Sequence, residues 1–222
     1  MFQALLNRIE IRMGKYRGFR NLMTMIVAAM GATYLADLIF GPAIGFYLSD
    51  LLAFDRAKIL QGQIWRMVTF VLIASGQGSI LFLLQLVFIY FTGNMLQNRW
   101  GTLRFNLFYF CGMFLSVVAG FITGYATNYY LNLSLLLAVA ILYPMMQINL
   151  YGILPLRMKW LGILELALLL PGIINGSWGV RLAIFVSVVN VTLFLSDKLR
   201  QQIHQAIRRY QWKKSWRTGN WH

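Results

Sequence analysis

The sequence predicts an all-α polytopic membrane protein, a single bundle of six transmembrane helices. Three observations carry that reading. The chain is 59% hydrophobic and only 12% charged, whereas a soluble domain is about 25% charged. Six apolar runs, roughly 21–40, 79–97, 103–125, 130–147, 159–174 and 180–197, are long enough to span a hydrocarbon core of ~30 Å at ~1.5 Å per residue. The basic residues are also lopsided. Sixteen of the 20 Lys and Arg fall in the N-terminal segment, the 2–3 turn, the 4–5 turn and the tail; only Arg56, Lys58, Arg66 and Arg181 fall on the other side. The positive-inside rule then places both termini in the cytoplasm.

In chain order, residues 1–20 carry Phe2, Leu5, Ile9 and Met13 at helical spacing with Arg8, Arg12 and Lys15 among them. They read as a short cytoplasmic amphipathic segment on an anionic leaflet. No cleavable signal pattern precedes the first span. Residues 41–78 form one long connection holding Gly41-Pro42 and Phe46, Tyr47, Leu48, Leu51, Leu52 and Phe54. We expect it to lie half-embedded in the interface. The third span sets Gly112, Ser116, Gly120 and Gly124 at steps of four. This smooth stripe serves intramolecular packing or, alternatively, a homo-oligomer seam. Cys111 stands alone in an apolar run, which excludes an internal disulfide and fits a packed side chain.

The tail, residues 198–222, continues the sixth span. Leu199, Ile203, Ala206, Ile207 and Tyr210 share one face, and Arg208, Arg209, Trp212, Lys213, Lys214 and Trp216 make it basic and Trp-rich. Such a segment beside a span binds anionic lipid, at ~1 kcal/mol per basic residue near the surface. Nucleic acid is the less favoured partner for this pattern.

The stretch with the most specific pattern runs from Gly62 to Phe105. It opens with Gln63-Ile64-Trp65-Arg66-Met67-Val68-Thr69 and closes with Gly93, Leu96, Gln97, Gly101, Arg104 and Phe105. It resembles the signature region of the rhomboid superfamily, which contains intramembrane proteases, Derlins and inactive relatives. The first motif matches at Gln63, Trp65, Arg66 and Thr69. The second matches at Gly93, Leu96 and Gly101, with Gln97 where glutamate is usual. The resemblance covers residues 20–197 and implies a rhomboid-like six-helix bundle.

The catalytic parts of that family do not follow. Rhomboid proteases use a serine in Gly-x-Ser-Gly and a histidine in the sixth helix, because a hydroxyl needs a base to take its proton. This chain has no Gly-x-Ser-Gly, and His204 and His222 both lie in the tail. The resemblance sets the serine position near Tyr129 and the histidine position at Asn190; the positions supporting the oxyanion read Leu81 and Gln85. An asparagine amide is no general base. Ser134, the one serine early in the fourth run, is read as bonding to its own backbone. No metal-ligand cluster, phosphate loop or paired intramembrane carboxylates appear, and no cofactor is expected.

The costly polar residues in the spans are Gln85, Glu165, Asn190 and Thr192. Glu165 is expected to snorkel towards Lys159. Alternatively it joins a polar groove near the second and fifth helices that holds a client's polar residue, for which Gln85, Asn190 and Tyr129 are the better candidates. The resemblance thus implies a non-catalytic, Derlin-like protein that engages transmembrane segments of client proteins in membrane-protein quality control. A bacterial cytoplasmic membrane is the expected location. A protease with a displaced nucleophile at Ser134 and a lipid-binding scaffold remain the alternatives.

Overall fold

The computed structural model describes residues 18–73, 79–150 and 154–218. The amphipathic segment expected at residues 1–20 lies outside them up to residue 17. Nine α-helices occur among the described residues: α1 (Leu22–Ile44), α2 (Leu48–Leu52), α3 (Arg56–Leu60), α4 (Arg66–Thr69), α5 (Ser79–Trp100), α6 (Thr102–Thr123), α7 (Tyr129–Leu142), α8 (Met158–Asn175) and α9 (Trp178–Thr218). A 3₁₀ turn, Phe70–Leu72, follows α4.

Five of these, α1, α5, α6, α8 and the first half of α9, are long and apolar enough to cross a membrane. The protein is therefore an all-α integral membrane protein in its main architecture. The fourth apolar run departs from expectation. It forms a helix of only 14 residues, α7, about 21 Å long and short of a ~30 Å core. The backbone explains the stop. Pro144 disfavours helical geometry at the residue before it, and Tyr143 sits at φ −128°, ψ 56°. The chain then pairs β1 (Gln147–Leu150) with β2 (Leu154–Arg157) as an antiparallel hairpin, Gln147 opposite Arg157. The Met158 and Lys159 N–H groups donate to the Met146 and Pro144 carbonyls, seating the start of α8 against the end of α7.

Short as it is, α7 is the centre of the bundle. Every residue from Leu133 to Ala140 is buried, so lipid hardly touches it. It packs against α5, α6, α8 and α9, while α9 packs on α6 as well. Close approaches need glycine where helices cross. A Cβ on Gly93 would run into Met23 of α1, and one on Gly162 would stand 2.7 Å from Ala140. Leu96 is fully buried at the foot of α5. Gly101, at φ +82°, makes the turn into α6 that an L-side chain would strain. The Gln97 amide donates to the Arg20 carbonyl, a bond that a glutamate there could not donate.

The basic turns gather at one end. The Arg104 guanidinium lies over Trp100 at 5.9 Å, and Trp100 packs on Phe194 of α9 at 6.4 Å. The opposite end is built by the long connection, which folds as three short helices rather than an open loop. Its organiser is Arg66, only 2% exposed. Its Nη1 donates to the Asp50 carbonyl at 2.8 Å and the Ala53 carbonyl at 2.7 Å, and its Nε to Gln63 Oε1 at 2.7 Å. Thr69 Oγ1 donates to Leu52 O at 2.9 Å, and Trp65 Nε1 to Leu51 O at 3.4 Å. The motif residues Gln63, Trp65, Arg66 and Thr69 thus form one clasp on the carbonyl end of α2, where orphan acceptors and the negative helix pole favour a cation. The Asp37 carboxylate, on α1, accepts from the Leu48 and Ser49 N–H groups and caps the other end of α2.

The clasp aims Phe54 into the bundle. Its ring meets Phe70 and Phe121 edge-on at 6.1 and 5.7 Å and lies where a Cβ on Gly120 would clash, at 2.7 Å. Leu60, Ile64 and Trp65 stay exposed on the outer surface.

Replacing Arg66 by Ala should destabilise the protein by ~3 kcal/mol, since two buried carbonyls lose charge-assisted bonds. The Arg66→Lys substitution should keep less than half of that stabilisation, because an ammonium cannot reproduce the fork. Thermal unfolding of the purified protein in detergent measures both.

Candidate functional site

Two polar sites lie inside the bundle, on opposite faces of α7. Asn132 and Ser134 are two residues apart, about 200° around a helix, so they look in different directions.

The first site is a lateral groove of about 310 Å³. Gln85, Phe88, Ile89 and Thr92 of α5 form one wall, Tyr129, Asn132, Leu133 and Leu136 of α7 the floor, and Glu165 of α8 the other wall. The groove exists because α5 and α8 each pack on α7 but scarcely touch one another. Tyr129 Oη donates to Glu165 Oε1 at 2.8 Å. Thr92 satisfies its hydroxyl locally, on the Phe88 carbonyl at 2.8 Å. Asn132 Nδ2 is buried with no hydrogen-bond partner among the described residues. A hydrocarbon-facing groove therefore presents an amide donor, a second amide at Gln85 and a carboxylate with one oxygen engaged by a phenol.

Glu165 does not reach back to Lys159. The two are six residues apart, about 240° around α8, and Lys159 Nζ instead lies over the Trp160 ring at 5.1 Å. The carboxylate belongs to the groove.

The second site is a closed node between α6, α7 and α9. Asn190 is 1% exposed and does not line the groove with Gln85 and Tyr129, because its face of α9 turns towards α6 and α7. Its Nδ2 lies 3.4 Å from both the Phe108 carbonyl and Ser134 Oγ, and its Oδ1 has no partner among the described residues. Ser134 Oγ donates to Leu131 O at 2.6 Å, the local back-bond expected of a lone hydroxyl in an apolar helix. Its polar neighbours are thus a carbonyl and an amide, neither of which takes up a proton near neutral pH. His204, on the same helix as Asn190, is 14 residues further on, about 21 Å along the axis.

The small-residue stripe faces inward. A Cβ on Gly112 would stand 2.6 Å from Asn190 Nδ2 and from Leu131 Cδ1. Ser116 is buried with its hydroxyl on Gly112 O at 2.9 Å. Gly120 receives Phe54, and Gly124, at φ +94°, ends α6. The chain's own side chains thus fill the stripe at Gly112, Ser116 and Gly120, while nothing stands within 4 Å of a Cβ on Gly124.

Of the tail residues, Arg208 is exposed on α9. Arg209, Trp212, Lys213, Lys214 and Trp216 lie on the same helix, and their side chains are outside the described residues. Asn132 went unnoticed in the sequence. The available signal was its spacing from Tyr129, three residues on one helical face at the start of an otherwise apolar run.

Among the described residues, no cluster of three or more His, Cys, Asp or Glu could hold a metal ion. No family model matches this chain, and no curated protein matches it.

Gly112→Val should destabilise the monomer by ~2 kcal/mol through overpacking against Asn190 and Leu131, with no change in oligomeric state. Thermal unfolding and light scattering in detergent read the two quantities separately.

Proposed function

We propose that this protein is a six-span, rhomboid-like membrane protein without protease activity, which receives transmembrane segments of other proteins in the groove between α5 and α8. The observation that carries the reading is the sideways opening itself. Two helices flanking α7 stand apart, and the space between them holds Glu165, Tyr129, Asn132 and Gln85. Ionisable and amide groups at membrane depth are costly unless they face protein, water or a functional partner. A client helix carrying a mid-span amide, hydroxyl or lysine would hydrogen-bond there and exchange a poor lipid contact for a satisfied one.

The length of α8 supports the same reading: at 18 residues, about 27 Å, and largely exposed, it falls a little short of a ~30 Å core and thins the bilayer beside the groove. Weakly hydrophobic segments would be drawn to such a sector. Binding without cleavage fits a serine whose nearest side-chain partner is an amide. In this reading α7 is the fourth of six spans, both termini are cytoplasmic, the membrane is a bacterial cytoplasmic membrane, and the role is quality control of membrane proteins.

The test places a photocrosslinker at Gln85 in the purified, reconstituted protein, with Ile80, 77% exposed on the same helix, as the lipid-facing control. Single-span peptides with one mid-membrane asparagine or lysine should crosslink several-fold more at Gln85 than an all-leucine version. Glu165→Leu and Tyr129→Phe should each reduce that capture. Equal capture at Ile80, or no preference for the polar peptides, would remove the proposal. A fluorophosphonate probe that labels the protein but not its Ser134→Ala variant would replace it with a protease.

A further inference from the structure

The other flank of α8 carries a second cavity with different chemistry. It measures about 380 Å³, within the ~300–1,000 Å³ usual for ligand sites, and lies between α7, α8 and α9. Its deep end is set by Leu137, Leu166 and Val188, its mouth by Pro144, Lys159 and Leu199. From Val188 to Leu199 is eleven residues, about 16 Å along α9, roughly half of a ~30 Å hydrocarbon core. The cavity is one leaflet deep.

Its lining is apolar apart from Lys159 and Thr192. Thr192 spends its hydroxyl proton on the Val188 carbonyl at 2.7 Å, so it offers the cavity no donor. Lys159 forms no ion pair among the described residues, and the acid on its own helix, Glu165, faces the opposite flank with Tyr129. Further exposed cations are close in sequence to lining residues: Arg157 two residues before Lys159, and Lys198 and Arg200 flanking Leu199 on α9. No described acidic side chain lines the cavity. The first two N–H groups of α8 are engaged by Met146 and Pro144, so the side chains must supply the recognition of any anion there.

We infer that this cavity binds one anionic phospholipid, with an acyl chain between α7, α8 and α9 and the headgroup phosphate at Lys159. A protein helix suits it poorly, being ~10 Å across and needing a groove along the whole span. A single acyl chain of one leaflet fits the depth, and Lys159 selects the charge. The proposal is independent of client binding at the α5–α8 groove.

The full-length protein, reconstituted in phosphatidylcholine vesicles containing a trace of phosphatidylglycerol with a photoreactive acyl chain, should be labelled at Ile163 and Leu166. Photoreactive phosphatidylcholine should label these positions several-fold less. Lys159→Glu should lower phosphatidylglycerol labelling at least about fivefold, the effect of ~1 kcal/mol per basic residue near an anionic surface. Lys159→Arg should retain it, and Val188→Trp should block it by filling the deep end. Lys159 and Val188 are both partly exposed, and unchanged unfolding temperatures would confirm intact folds. Equal labelling by the two lipids, or labelling indifferent to Lys159→Glu, would show ordinary solvating lipid and overturn the inference.

Discussion

A guanidinium with no carboxylate partner among the described residues holds this protein's connecting end together. Arg66 is buried, yet its bonds go to backbone carbonyls and one amide. A buried charge is tolerated only when its donors are used, and here the acceptors are the orphan carbonyls of a short helix that would otherwise be unsatisfied themselves. Each side solves the other's problem. Because α2 is capped at its far end by Asp37 of α1, the clasp also ties the connection to the first span.

The order it imposes propagates to the groove. The clasp directs Phe54 onto Gly120 of α6. The segment just beyond Arg66 then offers its Val71 and Ile73 carbonyls to Asn128 Nδ2, at 3.1 and 2.6 Å. Asn128 immediately precedes α7, so the same connection sets where that helix begins. Tyr129 and Asn132, on its first turn, inherit their position from it. The Gln63-x-Trp65-Arg66-x-x-Thr69 clasp is therefore architectural: its residues touch the groove only through the backbone they arrange.

Much of this was legible in the sequence, for physical reasons that differ by residue. Long apolar runs bounded by basic turns located α1, α5, α6, α8 and the membrane part of α9, because hydrophobic length is a one-dimensional property. The turn at Gly101 was readable for the same reason, whereas Gly93, which also looked like part of that bend, lies inside α5 and admits Met23 of α1. Pro144 marked where α7 stops, although composition alone carried the run on to residue 147, and the hairpin after it has no apolar alternation strong enough to announce itself. The polar residues were the hardest. Asn190 and Gln85 looked equivalent as amides in apolar helices, yet one closes a node with Ser134 and the other lines an open groove. Which face of a helix meets a neighbour is decided by packing between distant segments, so Glu165 could be placed beside Tyr129 only in three dimensions.

The brevity of α7 bears on how the protein is made. At about 21 Å it is too short to sit stably in a bilayer on its own, and its buried sequence leaves almost no surface for lipid. The five span-length helices can enter the membrane one at a time and associate afterwards, whereas α7 is a shorter apolar helix. This one cannot wait in that way, because its environment is the set of helices around it. Its insertion is thus tied to the arrival of α8 and α9, which makes the last third of the chain a condition for settling the middle during biogenesis.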